Sequence, residues 1–180
     1  GARMGQDQAK QYLMLAGQVH NSSNYPAALN KVFAAGKDAH ANTLEIPVAW
    51  EQVEPVEGKF DFSYVDTLLA QARQHKVRLV LVWFGTWNNT SPQYTPEWVK
   101  FNNARFPRML DQEGKPIYCL SPHGEATMKA DTRAFTAMMA HLAKADQDKR
   151  TVIMVQVNNE IGTYGWARDY SPRAEALFRQ

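Results

Sequence analysis

The amino-acid sequence predicts an α/β fold in which right-handed βαβ units surround a parallel sheet. Two observations carry that prediction. The runs Val77–Phe84 and Thr151–Val157 are rich in β-branched residues and too short for buried helices, the pattern of strands covered on both faces. Between such runs, apolar residues recur at i, i+3, i+4 and i+7, the stripe of a helix that buries one side.

The first strand is expected within Tyr12–Val19. Pro26, whose fixed φ suits a first helical turn, opens a helix striped by Leu29, Val32, Phe33 and Gly36. Thr43–Val48 is the second strand. Ser63, with Asp66 three residues on, gives a capping-box-like start to a helix carrying Val65, Leu68, Leu69 and Ala72. Val77–Phe84 is the third strand. A long connection, residues 85–127, is dense in Pro, Asn, Gly and aromatics; a helix with Phe135, Met138, Met139 and Leu142 then leads to the fourth strand, Thr151–Val157. Ser171-Pro172 opens a last helix. Strand starts at 12, 43, 77 and 151 show that the third crossover holds the insert. An insert of that size in a compact domain is usually functional, and it begins at a strand's carboxyl end, where βα loops build sites.

A length of 180 residues and 20.4 kDa suits one domain spanning residues 1–180, with 1–10 read as a flexible end or expression remnant. A net charge of +2 leaves no polybasic footprint, so nucleic acid is not expected as a partner. No apolar run approaches the ~18 residues of a membrane-spanning helix, so no membrane is expected either. Cys119 is the single cysteine and allows no internal disulfide. Gly1–Lys10 holds no apolar leader; an exported protein whose leader had been removed would read the same, which leaves periplasmic and secreted locations open.

The most informative stretch is Val155-Gln156-Val157-Asn158-Asn159-Glu160-Ile161-Gly162. A carboxylate directly after a buried strand stands at the sheet's rim, where partial desolvation would raise its pKa as a general acid requires. Asn159 adds an amide that both donates and accepts hydrogen bonds to hydroxyls. The competing reading has Glu160 cap the next segment or pair with Arg168. The second strand ends in Trp50 and Glu51, the third in Trp83 through Asn89, and the first near Gly17 through Asn21. Four strands thus deliver aromatics, amides and carboxylates to one face, as sugar rings call for: apolar C–H faces stack and hydroxyls hydrogen-bond. Taken singly, Trp50 or Trp83 would merely close the core. Other chemistries find no support. The histidines at 20, 40, 75, 123 and 141 lack metal-ligand spacing, and there is neither a Gly-rich phosphate loop nor a G-x-S-x-G elbow, so no cofactor or metal is expected.

Trp50-x-x-x-Glu54-Pro55-x-x-Gly58-x-Phe60-Asp61-Phe62, followed by Val155-Gln156-Val157-x-Asn159-Glu160-x-Gly162, resembles glycoside hydrolase family 35, the β-galactosidases of a clan of retaining (β/α)8-barrel glycosidases. Ala16-Gly17-Gln18-Val19-His20-Asn21-Ser22-Ser23 is similar to a bacterial branch of it. The resemblance implies a double displacement with Glu160 as acid/base and Asn159 holding the sugar's 2-hydroxyl. It also implies a sugar subsite drawing on Asn158, Trp50, Glu51, Trp87 and Asn21, and an oligosaccharide or β-galactoside substrate. Asn158 stands where that family usually has glutamate, and Pro47 where many members have a sugar-binding tyrosine. The family's nucleophile, a glutamate after the seventh strand, has no match here. A full barrel takes about 250 residues, so residues 1–180 read as its first four βα units. The carboxyl-terminal half or a second copy is then the expected partner; a carbohydrate-binding half-barrel without catalysis is the alternative.

Overall fold

The computed structural model describes residues 12–89 and 91–180; the expectation for residues 1–10 lies outside them. Its principal sheet has four strands, β1 (Ala16–Gln18), β2 (Thr43–Ala49), β3 (Arg78–Phe84) and β6 (Val152–Val157), all parallel and in the order β1-β2-β3-β6. The helices α1 (Pro26–Asp38), α3 (Ser63–Gln74) and α5 (Glu125–Ala145) connect them, and α2 (Trp50–Val53) caps the end of β2. Each expected stripe supplies core residues. Leu29 and Phe33 on α1, Leu68 and Leu69 on α3, and Met138 on α5 pack against Ile46, Val48, Leu79, Leu81 and Trp83 of the sheet. Gly36 lets α1 approach β2, since a Cβ there would lie 2.9 Å from Leu44 Cδ2. At the sheet's other end Asp146 joins α5 to β6 and α3, accepting from Val152 N–H at 2.8 Å and from Arg73 Nη2 at 2.8 Å.

Three expectations are corrected. The first strand shrinks to Ala16–Gln18 because Tyr12–Leu15 run exposed beside Asn42, held by its side chain, which donates to Leu13 O at 2.7 Å and accepts from Leu15 N–H at 2.9 Å. The fourth strand is not covered on both faces: Met154 and Val157 of β6 are 54% and 55% exposed, because β6 pairs with β3 alone among the described residues. The long insert is not an open loop. It contains α4 (Glu97–Lys100) and an antiparallel hairpin of β4 (Arg108–Leu110) and β5 (Pro116–Leu120). Asp111 makes the hairpin's turn, its Oδ1 accepting from Glu113 and Lys115 N–H, with Gly114 at φ 79°. The last helix, α6 (Pro172–Phe178), is capped by Ser171 Oγ as expected.

Candidate functional site

The parallel strands end together, and the residues that follow them form a rim. At the end of β2, Trp50 has no exposure; its Nε1 donates to Glu54 Oε2 at 2.9 Å and its ring meets Trp98 edge-on. Trp50 therefore offers no face to a ligand, and Trp83 is equally buried. Glu54 is also without exposure. Besides Trp50 it accepts from Gly58 N–H at 2.7 Å and from Arg133 Nη2 at 2.5 Å. The Trp-x-x-x-Glu-Pro-x-x-Gly pattern is thus a buried polar staple. It fixes the loop after β2 against α5, with Gly58 at φ 76°, where only glycine is unstrained.

Glu51 and Asn21 do come together, through a residue the sequence reading missed. Tyr94 O accepts from Glu51 N–H at 3.0 Å, and Tyr94 Oη donates to Asn21 O at 3.2 Å. Its ring lies 4.9 Å from that of Phe84, on the inner sheet face with Ala49 and Val82. Burial, and then the Glu51 carboxylate, push the Tyr94 phenol above its ordinary pKa. Glu51 itself pairs with Lys100 at 2.8 Å. No periodicity marks Tyr94, since it sits in an irregular segment whose position depends on α4.

The ends of β3 and β6 form the second half of the rim. Trp87 is buried beneath the hairpin with Met109, Ile117 and Cys119, so its ring packs rather than stacks on a ligand. Its backbone is the useful part: Trp87 N–H donates to Asn158 Oδ1 at 3.4 Å, and Trp87 O accepts from Asn159 N–H at 3.3 Å. Asn159 Nδ2 donates to Asn89 Oδ1 at 3.5 Å, while Gln156 Nε2 donates to Asn158 O and Asn159 Oδ1, both at 3.1 Å. Glu160 follows, exposed, at φ 51°. The desolvation expected for it is absent because β6 has no described neighbour on its open side. The alternative pairing with Arg168 is absent too, since Arg168 bonds Glu175 at 2.6 Å and lies over the Tyr170 ring.

Besides Asp146, two buried carboxylates escaped the sequence reading. Asp131 accepts from Trp83 Nε1 at 2.7 Å and from the Thr86 N–H and hydroxyl at 2.8 and 2.6 Å. Its signal was available, because Asp131 falls on the same helical face as Phe135, Met138 and Leu142, and a carboxylate on an apolar stripe demands partners. Asp169 accepts from Ser121 Oγ at 2.5 Å, Leu110 N–H at 3.1 Å and Ser171 N–H at 2.8 Å, tying the segment after Glu160 to the hairpin. Burial pushes its pKa up, but those hydrogen bonds outweigh burial and hold the carboxyl below its ordinary range. Nothing local in sequence announces Asp169.

A parallel sheet of four strands joined by helices, with the Asn158–Glu160 segment at the carboxyl end of the last strand, defines the class: βα units of a (β/α)8 barrel. Residues 24–180 match the model of glycoside hydrolase family 42, described as β-galactosidase, and the chain belongs to that family. The resemblance to family 35 is corrected accordingly. Of the motifs that carried it, the one around Glu54 is a buried staple that holds the loop after β2 and has no contact with a ligand face. β-Galactosidase BgaA of Thermus sp is 27% identical over 140 residues, 73% of this chain and 19% of that protein. The β-galactosidase of Bacillus circulans sp. alkalophilus superposes with a TM-score of 0.66 at 19% identity, over 92% of this chain and 23% of its own. That of Halorubrum lacusprofundi gives 0.68 at 20%, over 91% and 23%. The chain therefore spans about a fifth to a quarter of the length of these relatives.

Proposed function

We propose that residues 1–180 supply the amino-terminal half of a retaining β-glycosidase barrel acting on terminal β-galactosides, with Glu160 as the acid/base. The carrying observation is the Asn158–Glu160 segment, which stands at the carboxyl end of β6 with its amides bonded to the β3 loop and its carboxylate open to the rim. In a double displacement Glu160 protonates the leaving oxygen while a second carboxylate, about 5–5.5 Å away, attacks the anomeric carbon. Glu160 then takes a proton from the water that releases the sugar. Asn159 holds the 2-hydroxyl in this reading, and Asn158 braces it through Trp87. Asn21, Glu51 and Tyr94 line the rim on the β1–β2 side. Trp50 and Trp87 act from the interior. The nucleophile comes from polypeptide outside residues 1–180, on the same chain or a second copy, which would also cover β6.

The test is Glu160→Gln in the complete polypeptide as its own cell makes it, identified by its intact mass. Hydrolysis of an alkyl β-galactoside, whose leaving group needs a proton, should fall by about 10²–10⁴. Cleavage of 2,4-dinitrophenyl β-galactoside, whose leaving group needs none, should start nearly as fast as in the wild type. An equal loss on both substrates would remove Glu160 from this role. Galactose binding without hydrolysis by the wild-type protein would favour the non-catalytic alternative.

A further inference from the structure

We propose that Asp131 is a positioning residue for the Asn158–Glu160 segment, acting through Thr86 and Trp87; the proposal rests on the acid/base role proposed for Glu160. Asp131 is 8% exposed and gathers three donors from the end of β3: the Trp83 indole, the Thr86 amide and the Thr86 hydroxyl. The chain turns directly over this carboxylate. A Cβ on Gly85 would fall 2.4 Å from Trp83 Nε1 and 2.6 Å from each Asp131 oxygen, closer than real atoms approach, so the turn and the carboxylate are one fitted unit. Directly after Thr86, Trp87 offers its N–H to Asn158 Oδ1 and its carbonyl to Asn159 N–H at 3.4 and 3.3 Å, and Asn89 meets Asn159 Nδ2 at 3.5 Å. Bonds of that length are weak. They orient the acid segment only if the loop that makes them is itself held in place.

Two further observations show where the holding comes from. Asn158 and Glu160 both adopt left-handed backbone, φ 61° and 51°. Asparagine tolerates that conformation, whereas for glutamate it is a strained state that persists only where the surroundings impose it. Packing does not fill the space beside Asn158: an open cavity of about 240 Å³ is walled by Thr86, Trp87, Thr127, Asp131, Val157 and Asn158 among others. The buried Thr127 hydroxyl in that wall has no hydrogen-bond partner. With open volume beside the loop, the Asp131 hydrogen bonds fix Thr86 and, together with the packing of the Trp87 ring under the hairpin, set where the Trp87 backbone meets the Asn158–Glu160 segment.

Asp131→Asn keeps the shape but turns an amide NH2 toward a donor, either the Trp83 indole or Thr86. Thr86→Val removes the hydroxyl donor alone. Both are made in the complete polypeptide, beside Glu160→Gln, with Thr127→Val as a control on the same cavity. The readout is kcat/KM for an alkyl β-galactoside against 2,4-dinitrophenyl β-galactoside. Asp131→Asn should lose about tenfold to hundredfold on the alkyl substrate, as displacement of a catalytic group does, with little loss on the dinitrophenyl one. Thr86→Val should move the ratio the same way by less, and Thr127→Val should leave it unchanged. A merely structural role lowers the active fraction and cuts both rates equally, so an unchanged ratio overturns the proposal. If Asp131→Asn does not fold, Thr86→Val alone decides by the same criterion. Selectivity in Glu160→Gln without selectivity in the other two refutes positioning only; its absence in Glu160→Gln refutes the acid/base assignment itself.

Discussion

Replacing Glu54 by glutamine tests whether the buried staple, rather than the apolar core alone, holds the rim on β2. The carboxylate serves three donors: Trp50 Nε1 at Oε2, and Gly58 N–H and Arg133 Nη2 at Oε1. Glutamine has nearly the same shape but only one acceptor oxygen. With that oxygen facing Gly58 and Arg133, its NH2 meets the Trp50 indole N–H. A buried donor left unpaired costs about 1–3 kcal/mol. The Arg133 bond also loses its charge assistance, worth about another 1 kcal/mol after discounting for an arginine side chain 42% exposed. The sum is about 2–4 kcal/mol. A domain of this size shifts its melting temperature by about 2–4 °C per kcal/mol, so the expected fall is about 5–15 °C. Thermal unfolding followed by tryptophan fluorescence reads it directly, since Trp50 is a partner. Glu51→Gln is the matched control, because its Lys100 pair is partly exposed and worth no more than about 1 kcal/mol. If Glu54→Gln melts no lower than Glu51→Gln, the staple is ornamental and the motif needs another explanation.

Two other outcomes follow from the same geometry. Asp146 and Asp169 are buried, which pushes their carboxyls up, yet hydrogen bonds from Thr151, Val152 and Arg73 at the first, and Ser121, Leu110 and Ser171 at the second, bring both below the ordinary value. A depressed native pKa stabilises the fold above the unfolded value of 3.8 and stops doing so as pH falls through the native one, so stability should drop steeply below about pH 4. Asp146→Asn and Asp169→Asn should each be less stable at pH 6 and show a shallower acid loss, measured as urea midpoints from pH 6 to 2.5; parallel curves would refute the linkage. Residues 1–180 expressed alone should self-associate through β6, whose Met154 and Val157 stand open beside unpaired backbone. Met154→Lys should reduce that association in light scattering, and a monodisperse wild-type monomer would count against it.

The sequence by itself determined the βα order, the outer helical faces and the position of the Asn-Glu pair at the end of the fourth parallel strand. Those features are written in periods of two and 3.6 and in strand length, which depend only on neighbours along the chain. Leu68, Leu69 and Met138 lie in the core because their spacing puts them on one helical face. Only the tertiary structure decided what the polar and aromatic residues do. Trp50 reads as a sugar platform from its place after a strand, but Glu54 and Trp98 draw it inside. Asp131 gains its meaning from donors 45 and 48 residues away, and Asp169 from Ser121 and Leu110, 48 and 59 residues away. Tyr94 reaches the rim because α4 and the hairpin give regular structure to what the sequence shows only as a long connection. A hydrogen bond is specified by two groups and the distance between them, and when that distance is set by other elements neither group's local sequence can announce the bond.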